Sequence, residues 1–201
     1  MEYLVTMTTQ VPDGTSEEEV QEVRGREAAR SRKLAAQRKL LRLWRPPLRP
    51  GEWRTIGLFA AADDVELENV LASMPLQVWR SDEVVPLSGH PNDPHVSRQA
   101  NGAEFLTRFE VAFPDSASEQ EIEDITAREA DRTRELAEQG HLVRLWMLPP
   151  TRDNWRALGL WRAEDEGELQ ALLMSLPMDK WMTPETTLLS EHPTDPARTG
   201  A

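Results

Sequence analysis

Residues 2–11 are β-rich and end at Pro12-Asp13-Gly14, which predicts a strand closed by a turn. Ser16 followed by Glu19 has the spacing of a reciprocal helix cap, so a helix is predicted from about 17 to 38. Its apolar stripe runs Val20, Val23, Glu27, Arg30 or Ser31, and Leu34, at steps of three and four. Residues 40–45 and 54–60 read as two strands joined by the proline-rich segment PPLRPGE. Asp63 caps a second helix reaching to about 73, where Pro75 stops it, and residues 83–88 form a last strand.

The pattern then starts again. Shifting the chain by 102 positions aligns its second half on its first without a gap, with about 39 of 99 positions identical. Leu40, Arg42, Leu43 and Trp44 fall on Leu142, Arg144, Leu145 and Trp146. Trp53-Arg54 falls on Trp155-Arg156, Trp79 on Trp181, and His90-Pro91 on His192-Pro193. Ser118 with Glu121 repeats the helix cap. Such a period is too long for one unit of a solenoid, so the chain is a duplicated domain. Repeat 1 spans 1–95 and repeat 2 spans 103–197, and the boundary falls in the polar stretch PNDPHVSRQANGA. The order β-α-β-β-α-β is the ferredoxin-like pattern, and two such units can pack sheet to sheet. The predicted class is α+β.

Composition narrows the function. The chain has 201 residues and a net charge of −12. A nucleic-acid binder shows a basic surplus, so this balance argues against one. The exception is residues 24–54, where eleven Lys/Arg face only Glu27 and Glu52. That run reads as a solvated helix face plus strand ends, or as a site for an acidic substrate. No apolar run approaches the roughly 20 residues that span a bilayer, and no basic leader precedes an apolar stretch. No membrane association and a cytoplasmic location are expected. The absence of cysteine excludes disulfides, thiolate metal sites and a cysteine nucleophile. His90, His95, His141 and His192 are too scattered for a zinc site. No metal is expected.

The candidate chemistry lies on the first helix of each repeat. Glu27 occupies the apolar stripe, and Glu129 occupies the same place between Ile125 and Thr133. A carboxyl in apolar surroundings resists ionising, so its pKa rises toward neutrality and it can take and return a proton. The alternative is a structural ion pair, with Arg30 and Arg132 three residues on, or with Arg42 and Arg144 facing it from a strand. Trp44, Trp146, Trp53 and Trp155 lie on predicted strands, as core or as pocket walls. His90 and His192 sit in HPxDP turns.

These segments, in this order and seen twice, resemble the muconolactone delta-isomerase family. The resemblance rests on MTTQVP, Arg26-Glu27-Ala28, RLWR at 42–45, NWRALGLW at 154–161, SLPM at 175–178, Trp181-Met182 and HPTDP at 192–196. It implies a dimeric α+β barrel supplied by one fused chain. It implies a cofactor-free proton shift in an unsaturated lactone bearing a carboxylate, with Glu27 and Glu129 as the acid/base groups. The family's first strand carries basic or imidazole groups. Those positions hold Leu4 and Thr6 in repeat 1, and Leu106 and Arg108 in repeat 2. Arg108 would thus make repeat 2 the better catalyst, stabilising the enolate together with Arg42 or Arg144. The family's ring of dimers implies a homo-oligomer, a pentamer or a dimer of fused chains. A cyclase or dehydratase of secondary metabolism on the same fold, and a non-catalytic ligand-binding protein, are the competing readings.

Overall fold

The computed structural model describes residues 1–94, 101–151 and 155–200. His95, most of the polar segment after it, and Asn154 of the NWRALGLW motif lie outside them.

Repeat 1 folds as β1 (Glu2–Thr9), α1 (Glu17–Ala36), β2 (Leu40–Arg45), β3 (Arg54–Ala60), α2 (Asp64–Ala72) and β4 (Arg80–Gly89). Repeat 2 folds as β5 (Ala103–Val111), α3 (Glu119–Glu138), β6 (Leu142–Met147), β7 (Trp155–Ala163), α4 (Glu166–Met174) and β8 (Met182–Glu191). The long helices start where the serines place them. Ser16 Oγ accepts from Glu19 N–H, and Ser118 Oγ from Glu121 N–H, each at 3.2 Å. Asp63 and Asp165 cap the short helices in the same way, each at 2.8 Å.

The chain divides into two compact units whose limits are not those of the repeats. Unit 1 is Met1–Leu87 with Ser190–Ala201, and unit 2 is Ser88–Leu189. In unit 1, β1 pairs antiparallel with β3 and β4, and β2 pairs with the far side of β3. The outer edge of β2 is taken up by Ser190 and Glu191, opposite Arg45 and Trp44. Unit 2 repeats this scheme, with β5 between β7 and β8, and β6 on the far side of β7. There Ser88 and Gly89 pair with Met147 and Trp146.

One face of each sheet meets the helices. In unit 1 the core joins Tyr3, Val5, Met7, Leu40, Leu43 and Phe59 to Leu34 of α1 and Leu67, Val70 and Leu71 of α2. In unit 2 it joins Phe105, Phe109, Leu142, Leu145 and Trp161 to Leu136 of α3 and Leu169 and Leu173 of α4. Gly159 has a steric purpose, because any side chain there would collide with the Trp161 indole lying across it.

The second strand of each unit contains an irregularity. The register of β2 on β3 shifts between Leu40 and Arg42, and that of β6 on β7 shifts between Leu142 and Arg144. A bulge reverses the alternation of side chains beyond it. Leu40 and Leu43 therefore share the core face, although simple alternation from Leu40 would put Arg42 and Trp44 there.

Candidate active site

Each unit holds a cavity between its long helix and its sheet. In unit 1 the cavity measures about 190 Å³. Glu27 on α1 lies in its wall, with Met7 and Thr9 from β1, Leu43 and Arg45 from β2, and Trp53 before β3. Glu27 Oε2 accepts the Leu76 N–H at 2.9 Å, and Oε1 lies 3.5 Å from Arg80 Nη1. Burial pushes the Glu27 carboxyl above its ordinary range; the Leu76 N–H and Arg80 oppose this, and Asp82 adds to it.

Arg80 is the buried cation of this site, its side chain 1% exposed. Asp82 Oδ2 accepts from Arg80 Nη2 at 2.9 Å, and Asp82 Oδ1 lies 2.6 Å from Nε as an ion pair, so the guanidinium is held between Asp82 and Glu27. Arg24 and Arg45 also line the cavity, with the Arg24 guanidinium 5.1 Å from the Trp53 ring centre. The wall is completed from the far end of the chain by His192, Pro193 and Thr194. His192 Nδ1 accepts the Thr194 N–H at 3.2 Å. Burial first, then Arg45, lowers the imidazole to about 4, Arg24 adding and Asp195 opposing. The ring is therefore neutral at pH 7, with its proton on Nε2.

In unit 2 the cavity measures about 460 Å³. Glu129 on α3 takes the place of Glu27 and accepts the Met178 N–H through Oε2 at 2.9 Å. Burial raises its carboxyl above the ordinary range; the Met178 N–H opposes this and Asp179 adds to it. His90 lines this cavity, as His192 lines the other. Its Nδ1 accepts the Asn92 N–H at 3.0 Å, and burial lowers the imidazole below its ordinary value, against the pull of Asp93.

Of the nine residues taken from sequence as catalytic or substrate-binding, four line a cavity: Glu27 and Trp53 in unit 1, Glu129 and Trp155 in unit 2. Five do not. The bulges turn Arg42 and Trp44, and likewise Arg144 and Trp146, onto the opposite face of their strands from Leu43 and Leu145. Arg42 instead binds Asp195, through Nη2 at 3.0 Å, and stacks 4.7 Å from the Trp44 ring centre. Arg144 binds Asp93 through Nε at 3.1 Å and stacks at 4.7 Å on Trp146. Arg108 sits on the face of β5 opposite Phe109 and Val111, which are the two residues of that strand lining the cavity. Nor do Arg30 and Arg132 pair with the glutamates. They donate to Ser73 and Ser175. Arg24, Arg45 and Arg80 line the unit 1 cavity with Glu27, whereas Arg156 is the one arginine among the described lining residues of the unit 2 cavity, so the more cationic site is in unit 1, the reverse of what Arg108 implied. An imidazole does reach each cavity, from the HPxDP turns rather than from the first strand.

Among the described residues no cluster of three or more His, Cys, Asp or Glu is placed to hold a metal ion, and no helix is long and apolar enough to cross a membrane.

Two ferredoxin-like repeats, each with a half-buried or buried helix glutamate walling a cavity, define a duplicated α+β protein with a carboxyl in each cavity. The model of the muconolactone delta-isomerase family matches both halves, at residues 1–93 and 103–195, and the chain belongs to that family. Muconolactone Delta-isomerase 1 of Acinetobacter lwoffii is 32% identical over 92 residues, which is 46% of this chain and 93% of that protein. Among solved structures, a mutant chlorite dismutase from Candidatus Nitrospira defluvii superimposes with a TM-score of 0.59 at 11% identity, covering 96% of this chain and 92% of that one. A heme-binding protein from Thermus thermophilus superimposes with a TM-score of 0.57 at 10% identity, covering 99% and 95%. At such identities the likeness is one of fold.

Proposed function

We propose that unit 1 is a cofactor-independent isomerase site, which moves a double bond in an unsaturated lactone or related enolisable acid carrying a carboxylate. The observation that carries this reading is Glu27, a carboxyl raised by burial in a cavity lined by Arg24, Arg45 and Arg80. Family membership and the similarity to a muconolactone isomerase support it.

Glu27 removes a proton from the carbon at the far end of the conjugated double bond, and the C–H electron pair moves through that bond into the enolate. The same carboxyl returns the proton to the carbon next to the carbonyl, which completes the shift with no net change in composition. Arg80, locked by Asp82, faces Glu27 and offsets the negative charge as it passes to the enolate oxygen. Arg24 and Arg45 hold the substrate carboxylate, and neutral His192 offers a hydrogen-bond donor.

The test is double-bond migration in muconolactone, followed by ultraviolet absorbance and by deuterium uptake from heavy water. Glu27→Gln is expected to lower turnover by a factor on the order of 10²–10⁴ while the protein stays folded. Glu129→Gln is expected to leave this reaction largely intact. Undiminished turnover in Glu27→Gln removes the glutamate from the mechanism. Absence of turnover in the wild type removes muconolactone as substrate.

A further inference from the structure

The cavity of unit 2 is not a copy of its counterpart. At the matching positions Arg24, Arg45 and Arg80 give way to Thr126, Met147 and Met182, while Thr9 and Thr55 give way to Val111 and Ala157. Two of the three guanidiniums become thioethers, the third becomes a hydroxyl, and two wall hydroxyls become aliphatic groups. The space grows from about 190 to about 460 Å³, which falls in the range of small-molecule sites. Phe109, Trp155 and Trp161 add flat apolar walls. Among the described lining residues one cation remains, Arg156, and its Nε lies 3.6 Å from the Glu110 carboxylate, so the pair brings no net charge.

The glutamate is nevertheless kept. Its Oε2 is held by the Met178 N–H, while Oε1 takes no hydrogen bond from any described residue. A carboxylate ligand entering here would lose its hydration with no unpaired guanidinium to replace it. A neutral ligand loses nothing of that kind and gains the aromatic and thioether surface.

We infer that the unit 2 cavity is a second ligand site, built for a neutral, flat, mostly apolar molecule. The inference holds whether or not unit 1 turns over muconolactone, since it concerns a different cavity and a different chemical class.

The probe is 6-propionyl-2-dimethylaminonaphthalene, an uncharged ketone whose emission moves to the blue in apolar surroundings. The wild type is expected to bind one molecule per chain with blue-shifted emission. The affinity should stay the same between about 20 and about 500 mM salt, because screening acts only on charged partners. Met147→Arg and Met182→Arg, each restoring the residue that repeat 1 carries at that position, are expected to weaken binding about tenfold or more, since each puts a charged, hydrated group into the apolar surface that the ligand covers. Arg45→Met, in the other cavity, should leave the affinity unchanged. If either arginine prevents folding by circular dichroism, Ala157→Leu fills the same space without charge and should also weaken binding. No saturable blue-shifted binding overturns the inference. So does affinity that falls with salt, or that survives every folded variant in this cavity.

Discussion

Asp195→Asn removes one charge from an enclosed ion pair of unit 1. Asp195 is 1% exposed and its partner Arg42 17% exposed. The carboxylate accepts Arg42 Nη2 and Nε at 3.0 and 3.2 Å, and it also accepts the Leu43 N–H at 3.0 Å. Losing one member of a buried pair costs about 3–5 kcal/mol, because the survivor keeps its desolvation penalty. Asparagine retains a carbonyl oxygen for the Leu43 N–H, which places the expected loss near the lower end, about 3 kcal/mol. For a chain of this length that corresponds to a fall in Tm of about 6–12 °C. Asp93→Asn is the internal comparison. Its pair with Arg144 is more open, at 32% and 16% exposure, so about 1–2 kcal/mol is expected. Urea unfolding followed by tryptophan fluorescence, with calorimetry at matched ionic strength, measures both. If Asp195→Asn unfolds within about a degree of the wild type, water and the Trp44 face satisfy Arg42 unaided, and the buried-pair argument is wrong.

Other outcomes follow from the same geometry. Glu129 has its carboxyl raised in the fold, so the folded state holds the proton more firmly than the unfolded chain. Its contribution is full below the unfolded pKa and is lost as pH rises through the folded one. Glu129→Gln, which mimics the protonated form, should therefore raise stability at neutral pH, with the gain vanishing in acid; a loss at neutral pH would point to an ion pair instead. His192 shifts the opposite way, down to about 4, so its contribution is present above the ordinary histidine range and is lost as pH falls toward 4. Stability measured from about pH 6.5 to about pH 4 should fall less steeply in His192→Asn than in the wild type; parallel curves would mean that the ring titrates normally. If unit 1 binds a carboxylate, Arg45→Met should raise KM for the lactone substrate several-fold more than it lowers kcat, and added salt should raise the wild-type KM. A KM unaffected by either change would move substrate recognition away from Arg45.

The elements were legible because strong local signals agreed with the tertiary structure. The serine and aspartate caps, the three-and-four stripe of α1 and the proline stops put helices and strands within a few residues of their observed ends. Glu27 and Glu129 were legible for the same reason, as polar intrusions in an apolar stripe. The strand residues were not. One extra residue in β2 and in β6 reverses which side chains face the helices, and nothing in LLRLWR or LVRLWM marks the bulge. Arg42 and Trp44 thereby exchange faces with Leu43 and Arg45. Arg80 was missed for another reason. It lies at the first residue of β4, ahead of the predicted strand, and its repeat partner is Met182, so a search for shared residues passed over it. Differences between the repeats carried the chemical information. Arg24, Arg45 and Arg80 could have been found by asking which cations only one repeat possesses.

The cavity of unit 1 takes His192, Pro193 and Thr194 from a stretch of sequence that belongs to repeat 2, and unit 2 takes His90, Pro91 and Asn92 from repeat 1. The segment that is inherited is therefore not the segment that works. Recombination at the junction between the repeats would hand on a helix glutamate together with the other cavity's histidine turn. Each cavity is open to change through mutations in either half of the gene. The two repeats are bound to a common history, since each contributes its histidine turn to the cavity that holds the other's glutamate.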